Sequence, residues 1–379
     1  MEQYHAKTLK GLEELLAAEL EDIGAENIKL VNRGVNFTGS TAMMYKANLY
    51  LRTALRILKP IAQFSARNED ELYRKIRKIR WSDYMHYKNS FAIDAVSFSD
   101  TFKNSHYLEL KAKDAIVDQF REKTSLRPSV DKRQPEIRLN IHVNQQNILI
   151  SLDSSGESLH KRGYRKHLHE ASLSEVLAAG LLMLAGFKGE RPFVNPMCGS
   201  GTIIVEAAMI ASGMLPGITG RKYGFEFWPD FDDLLYKRIR EQMPEPHAPK
   251  HSLSASDVDQ EAIRITKANL RTRALDKVVK VKRHDFKLSR EETEPSLVIM
   301  NPPYGERLEV EDIMAFYNDI GSVLKHRFAG SEAWVFTANM EALKSVGLKP
   351  DKKIQLYNGK LDCRYVKYSL FSGKRTPHH

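Results

Sequence analysis

The 379 residues exceed what one ordinary domain of about 100–200 residues needs, so the length predicts two or three domains. Hydrophobic residues make up 42% and charged residues 28%, the profile of a folded chain, and the net charge of +10 favours a polyanionic partner. Two cysteines, Cys198 and Cys363, exclude a disulfide framework or a four-cysteine zinc site; with no run of 18 apolar residues and a charged start lacking a signal-peptide core, the cytoplasm is the expected compartment.

Residues 1–65 read as a small α+β unit. Leu9, Leu12, Leu15, Leu16 and Leu20 fall at helical spacing, with Gly24 where that helix should stop. A strand over NIKLVNRGVNFTG follows, then a second helix through MMYKANLYLRTALRIL with Pro60 just past its end. Residues 66–155 read as a second mixed unit: a helix faced by Leu72, Ile76 and Ile79, strands FAIDAVSF and EIRLNIHVNQQNILISLD, and a helix through KDAIVDQFREKT between them.

From residue 156 the pattern changes. The basic stretch KRGYRK leads into an apolar helix from Ser174 to Ala185, and short apolar strands then alternate with helices as far as RYVKYSLF. Such βα alternation predicts an α/β fold of Rossmann-like type, a mostly parallel doubly wound sheet. The last two strands are joined by a few residues around Gly359, too few for a crossover helix, so an antiparallel last strand is expected. Residues 216–250, with LPGITGRKYGFEFWPDFDD, are too long for a plain connection and read as an insertion.

Asn195-Pro196-Met197-Cys198-Gly199-Ser200-Gly201-Thr202 follows a strand and opens a helix. Glycines at 199 and 201 let the backbone turn tightly and approach a ligand, while the helix start offers free N–H groups. The third position of a dinucleotide fingerprint is Ile204 and no P-loop lysine is present, so a ligand without pyrophosphate, such as S-adenosylmethionine, suits the turn. A ligand-free strand-to-helix junction suits it as well. Downstream, Asp257 ends a strand where an acid accepts ribose hydroxyls, and Asp259 stands where it caps the next helix. Asp285 and Phe286 close the third strand; there a carboxylate serves an adenine amine or merely a turn.

Asn301-Pro302-Pro303-Tyr304-Gly305 carries the sharpest chemistry. An exocyclic base amine is a poor nucleophile because its lone pair is delocalised into the ring. The Asn301 side-chain oxygen and the Pro302 carbonyl could together hold its hydrogens and direct that lone pair to a methyl donor; a proline-rich loop after a strand is the plain alternative. The prolines stiffen the loop, and Tyr304 offers a face for stacking a base, worth ~1–3 kcal/mol. KRGYRK reads equally as a phosphate contact or a solvated linker, and no metal constellation appears.

NPMCGSGTIIVEAA, SASDVDQEAI, RHDF and NPPYGER, in that order, resemble the S-adenosylmethionine-dependent amino-methyltransferases. The wider layout resembles the bacterial THUMP-domain 23S rRNA guanine-N2 methyltransferases. The resemblance implies a ferredoxin-like domain over 1–65, an RNA-binding THUMP domain over 66–155 and a Rossmann-like methyltransferase domain over 156–379 with the insertion 216–250. It implies S-adenosylmethionine held by Asn195, Pro196, Cys198, Gly199, Gly201, Thr202, Asp257, Asp285, Phe286 and Asn301, a base held by Asn301, Pro302 and Tyr304, and large-subunit rRNA or its assembly intermediate as partner. The family's first motif commonly opens with an acid, where this chain has Asn195. Adenine N6 in DNA is the nearest rival target, since the same loop serves either amine. A non-catalytic RNA-binding or ribosome assembly factor is the rival of another class.

Overall fold

The computed structural model describes residues 1–165, 173–218, 220–289, 294–304 and 313–371. Two compact units emerge: Met1–Thr8, Leu16–Leu159 and Thr219–Met243 form one, and Leu9–Leu15, His160–Ile218 and Pro244–His379 the other.

Alternation along the first residues buries Tyr4 and Ala6 while His5 and Lys7 stay partly exposed, which makes Glu2–Lys7 a strand, β1. It joins β2 (Glu26–Val31), β3 (Gly34–Gly39), β4 (Arg56–Ser65), β5 (Ser90–Phe98), β6 (Ser129–Val130), β7 (Ile137–Asn144) and β8 (Asn147–Asp153) in one sheet of order β2-β3-β1-β4-β8-β7-β5-β6. The helices in this stretch of chain are α1 (Glu13–Asp22), α2 (Thr41–Tyr50), α3 (Glu69–Lys78) and α4 (Ser105–Thr124). Leu9 and Leu12 lie ahead of α1, so the first helix begins later than its leucine spacing suggests.

The second helix ends at Tyr50, and the residues read as its last turns become β4. Ile57 and Leu58 are buried there, and Pro60 sits where the register against β8 shifts, between Pro60 and Ala62. A proline has no N–H for a ladder, so an irregularity is where a strand tolerates one. β4 pairs antiparallel with β8 from Leu58 opposite Asp153 to Ser65 opposite Asn147, so the two segments read as separate units share one continuous sheet.

Residues of the insertion complete this first unit. The Tyr45 ring lies 4.5 Å from Phe225, 6.0 Å from Phe231 and 5.6 Å from Tyr236. Its hydroxyl accepts the Asp232 N–H at 3.0 Å, at the cap of α7 (Asp233–Glu241). Arg221 donates to the carbonyls of Ser155, Glu157 and Ser158.

The second unit follows the expected order closely. Parallel strands β9 (Phe193–Pro196), β10 (Leu253–Asp257), β11 (Val279–Arg283), β12 (Leu297–Met300) and β13 (Glu332–Thr337) meet the antiparallel hairpin β14 (Lys352–Asn358) and β15 (Leu361–Ser369) in the order β11-β10-β9-β12-β13-β15-β14. Its helices are α5 (Glu175–Leu184), α6 (Thr202–Ala211), α8 (Gln260–Arg271), α9 (Ile313–Arg327) and α10 (Met340–Lys344). The chain runs from β9 to β10 and β11 on one side, then returns to lay β12 on the other side of β9. That reversal is the crevice where doubly wound sheets bind ligands.

Tyr45→Ala should cost about 3–5 kcal/mol, the range for emptying a buried aromatic site. It should also speed amide exchange in residues 223–241. Tyr45→Phe, which keeps the ring, should cost about 1 kcal/mol for the lost hydrogen bond. Denaturant unfolding with hydrogen exchange checks both.

Candidate active site

The turn after β9 bends through three positive φ angles, +57° at Met197, +54° at Gly199 and +80° at Gly201. A Cβ on Gly201 would meet the Thr266 side chain at 2.7 Å, so glycine is needed there for packing. On Gly199 a Cβ would meet nothing within 4 Å, so this backbone surface is bare for another reason. From α8, Thr266 donates to the Gly199 carbonyl and Asn269 to the Ser200 carbonyl, both at 2.9 Å. Thr202 begins α6, and Pro196 ends β9.

Asp257 ends β10 and accepts the Gly199 N–H at 2.9 Å and the Asp259 N–H at 3.1 Å. Asp259 caps α8 by accepting the Glu261 N–H at 2.9 Å, the capping role its position suggests. Asp285 accepts the Lys287 N–H at 2.9 Å and caps a single turn in which Phe286 is buried, stacked 5.7 Å from Phe328. Burial pushes the Cys198 thiol up to about 12, so it stays protonated at neutral pH and is no nucleophile.

Asn195 is buried, and its amide nitrogen donates to the Ile299 carbonyl on β12 at 2.8 Å. A carboxylate could not make that bond, which gives the amide at this position a physical reason. Its Oδ1 is buried with no partner among the described residues, an acceptor waiting for a donor.

β12 delivers Asn301 and Pro302 to the same edge. The Tyr304 hydroxyl donates to the Asn301 Oδ1 at 2.5 Å, so the acceptor read as a base-amine site is engaged by the neighbouring phenol. Two residues outside the motifs hold this loop, Tyr317 at the Pro303 carbonyl and Asn339 at the Tyr304 carbonyl, and Thr337 bonds the Tyr317 hydroxyl. No local motif marks them, since they come from α9, the end of β13 and the cap of α10. Gly305, Glu306 and Arg307, the end of NPPYGER, lie outside the described residues.

KRGYRK departs from both of its readings. The Arg162 side chain is 1% exposed and pairs through Nε with Glu206 of α6 at 2.9 Å, while the Tyr164 hydroxyl donates to the same Glu206 oxygen at 3.0 Å. The element is therefore neither a phosphate contact nor a solvated linker at these positions. It anchors the helix that carries the glycine turn. Lys166, His167 and His169 lie outside the described residues. Among the described residues no His, Cys, Asp or Glu group could hold a metal, and no helix is long and apolar enough to cross a membrane.

The bare Gly199 backbone and the partnerless Asn195 acceptor fit S-adenosylmethionine, whose amino acid end carries an ammonium and whose nucleoside has no pyrophosphate. Family models match the chain in three places: an RlmL ferredoxin-like domain over 3–58, a THUMP domain over 66–153, and an RMKL-like methyltransferase domain over 162–367. A relative named as an RNA methyltransferase in Synechocystis sp. is 38% identical, covering 97% of each chain. The ribosomal RNA large subunit methyltransferase K/L of Syntrophotalea carbinolica is also 38% identical over 97% of this chain, which spans only 53% of that relative. The crystal structure of SMU.472, described as a methyltransferase in complex with SAH, superposes with a TM-score of 0.89 at 29% identity, covering 98% of this chain and 99% of its own.

Fold and site together define an S-adenosylmethionine-dependent methyltransferase with ferredoxin-like and THUMP domains before its Rossmann-like domain. The chain belongs to the RMKL-like methyltransferase family.

Substituting the two glycines should separate packing from ligand contact. Gly201→Ala meets Thr266 and should lower the melting temperature markedly. Gly199→Ala carries only the left-handed backbone strain of about 1–2 kcal/mol, yet should weaken S-adenosylmethionine binding about tenfold or more if the ligand lies on that surface. Calorimetric titration beside thermal melts reads both.

Proposed function

We propose that this methyltransferase acts on RNA, moving a methyl group to an exocyclic base amine, guanine N2 of 23S rRNA. The observation that supports this reading is the Asn195–Ile299 hydrogen bond, which ties the strand leading into the glycine turn to the strand leading into Asn301. The THUMP match, the names of the two relatives and the +10 charge support RNA; the K/L relative supports the large-subunit base.

Bound S-adenosylmethionine supplies an electrophilic methyl on a sulfonium. In this reading the Asn195 Oδ1 accepts from its ammonium, and Pro196, Cys198, Gly199, Gly201 and Thr202 line its amino acid end. Asp257 already accepts two backbone N–H groups, and a carboxylate with about four lone-pair sites has room for a ribose hydroxyl as well. Asp285 takes the adenine amine beside Phe286. Asn301 and the Pro302 carbonyl accept the two hydrogens of the target amine, and this orients its lone pair and stabilises the ammonium that develops. The Tyr304 hydroxyl must give up Asn301 as the base arrives, and its ring then stacks on that base. Transfer would be direct and in line, the sulfonium leaving as the thioether as its methyl passes to the amine, with no covalent enzyme intermediate. The base has to leave its stack, so an unpaired or locally opened segment is the substrate, docked by residues 1–65 and 66–155 in the cytoplasm.

Asn301→Ala should nearly abolish turnover while S-adenosylmethionine binding persists; an active variant would remove the amine mechanism. Labelled methyl transfer to unmodified 23S rRNA, with duplex DNA alongside and the modified nucleoside identified, tests the substrate. N2-methylguanosine is expected. N6-methyladenine in DNA would overturn the RNA reading and keep the chemistry.

A further inference from the structure

Two consecutive prolines strip the catalytic loop of backbone N–H groups, so from Pro302 to Pro303 only carbonyls remain as handles. Pro302 has no hydrogen-bond partner among the described residues, whereas the two carbonyls after it are both held. Tyr317, fully buried on α9, donates from its hydroxyl to the Pro303 carbonyl at 3.2 Å. The same oxygen lies 2.7 Å from the Thr337 hydroxyl, which in turn accepts the Asn339 N–H at 3.0 Å. One arrangement of protons satisfies all three contacts: Asn339 N–H to Thr337, Thr337 to Tyr317, Tyr317 to Pro303. Each bond in such a chain polarises the next.

Asn339 supplies the second tie. Its Oδ1 accepts the Ala342 N–H at 2.9 Å as the cap of α10, which fixes the amide and turns Nδ2 to the Tyr304 carbonyl at 3.1 Å. We propose that Tyr317 and Asn339 are positioning residues that clamp the Pro303 and Tyr304 carbonyls, leaving the Pro302 carbonyl for the target amine and confining the exchange with the base to the Tyr304 side chain. The proposal rests on the amine reading of Asn301 and Pro302 given above. It places the catalytic loop under the control of the neighbouring strand β13, whose end carries Thr337.

Asn339→Asp separates the loop tie from the helix cap, because Asp keeps the capping oxygen and loses the donor. The expected result is an unchanged melting temperature, unchanged S-adenosylmethionine affinity, little change in KM for rRNA, and a kcat lowered about tenfold or more, the scale on which misplaced reacting groups lose rate. Tyr317→Phe should show the same fall in kcat with KM and S-adenosylmethionine affinity kept, and a lower melting temperature because it deletes two buried hydrogen bonds. Wild-type kcat in both variants would overturn the proposal, as would a loss of activity in Asn339→Asp matched by a loss of stability. If the wild-type chain methylates no RNA, the functional reading falls. The clamp is then judged by exchange of the Tyr304 amide, expected to quicken in Asn339→Asp; an unchanged rate would overturn it.

Discussion

The hydrogen bond from the Asn195 amide to the Ile299 carbonyl is the tie on which the site depends. It joins β9, which ends in the glycine turn, to β12, which ends in the catalytic loop, at the point where the strand order reverses. The glycine turn and the Asn301 loop come from segments about a hundred residues apart in the chain, and this bond, with the β9–β12 pairing, sets them side by side. The amide does what a carboxylate in its place cannot. It donates to one strand and still offers an acceptor on its other atom. What it gives up is a full negative charge.

Support for that arrangement comes from below. Glu206 sits in the helix that follows the glycine turn, with Arg162 paired to it and Tyr164 bonded to the same oxygen. Burial raises the Tyr164 hydroxyl well above its ordinary range, with the Glu206 charge adding to the effect, so the phenol stays a donor. A buried pair of this kind adds little net stability, but removing one partner costs ~3–5 kcal/mol because the other is left charged and alone. The network therefore specifies one orientation of α6 more than it strengthens the fold. Thr266 and Asn269 on α8 complete the support by holding the turn's carbonyls.

Legibility in the sequence followed the range of the contacts. In the second unit the βα alternation predicted α6, β9 to β13 and the closing hairpin, because each is marked by its own apolar run and its own turn residues. Asp259 was readable as a cap for the same reason. β1 and β4 were not, since Tyr4 and Ala6 acquire meaning only when β3 and β4 flank them, and Pro60 marked a shift of register against a strand some ninety residues away. KRGYRK misled through composition: its arginine and tyrosine are polar groups with a buried glutamate to satisfy, and nothing local announces Glu206 as that partner. Tyr317 and Asn339 escaped because they touch carbonyls, and any donor of suitable reach serves a carbonyl.

Residues 219–243 belong to the first unit although they lie in the chain beyond the glycine turn. During synthesis the first unit therefore cannot close when its sheet has emerged at Asp153. Tyr45 lacks its aromatic partners until about 70–85 further residues have been made, roughly 4–17 s at 5–20 residues per second. Over that interval β9 and α6 leave the ribosome while the earlier unit still presents an apolar surface. The order of synthesis thus leaves the aromatic site around Tyr45 incomplete until the chain has passed through the glycine turn and α6.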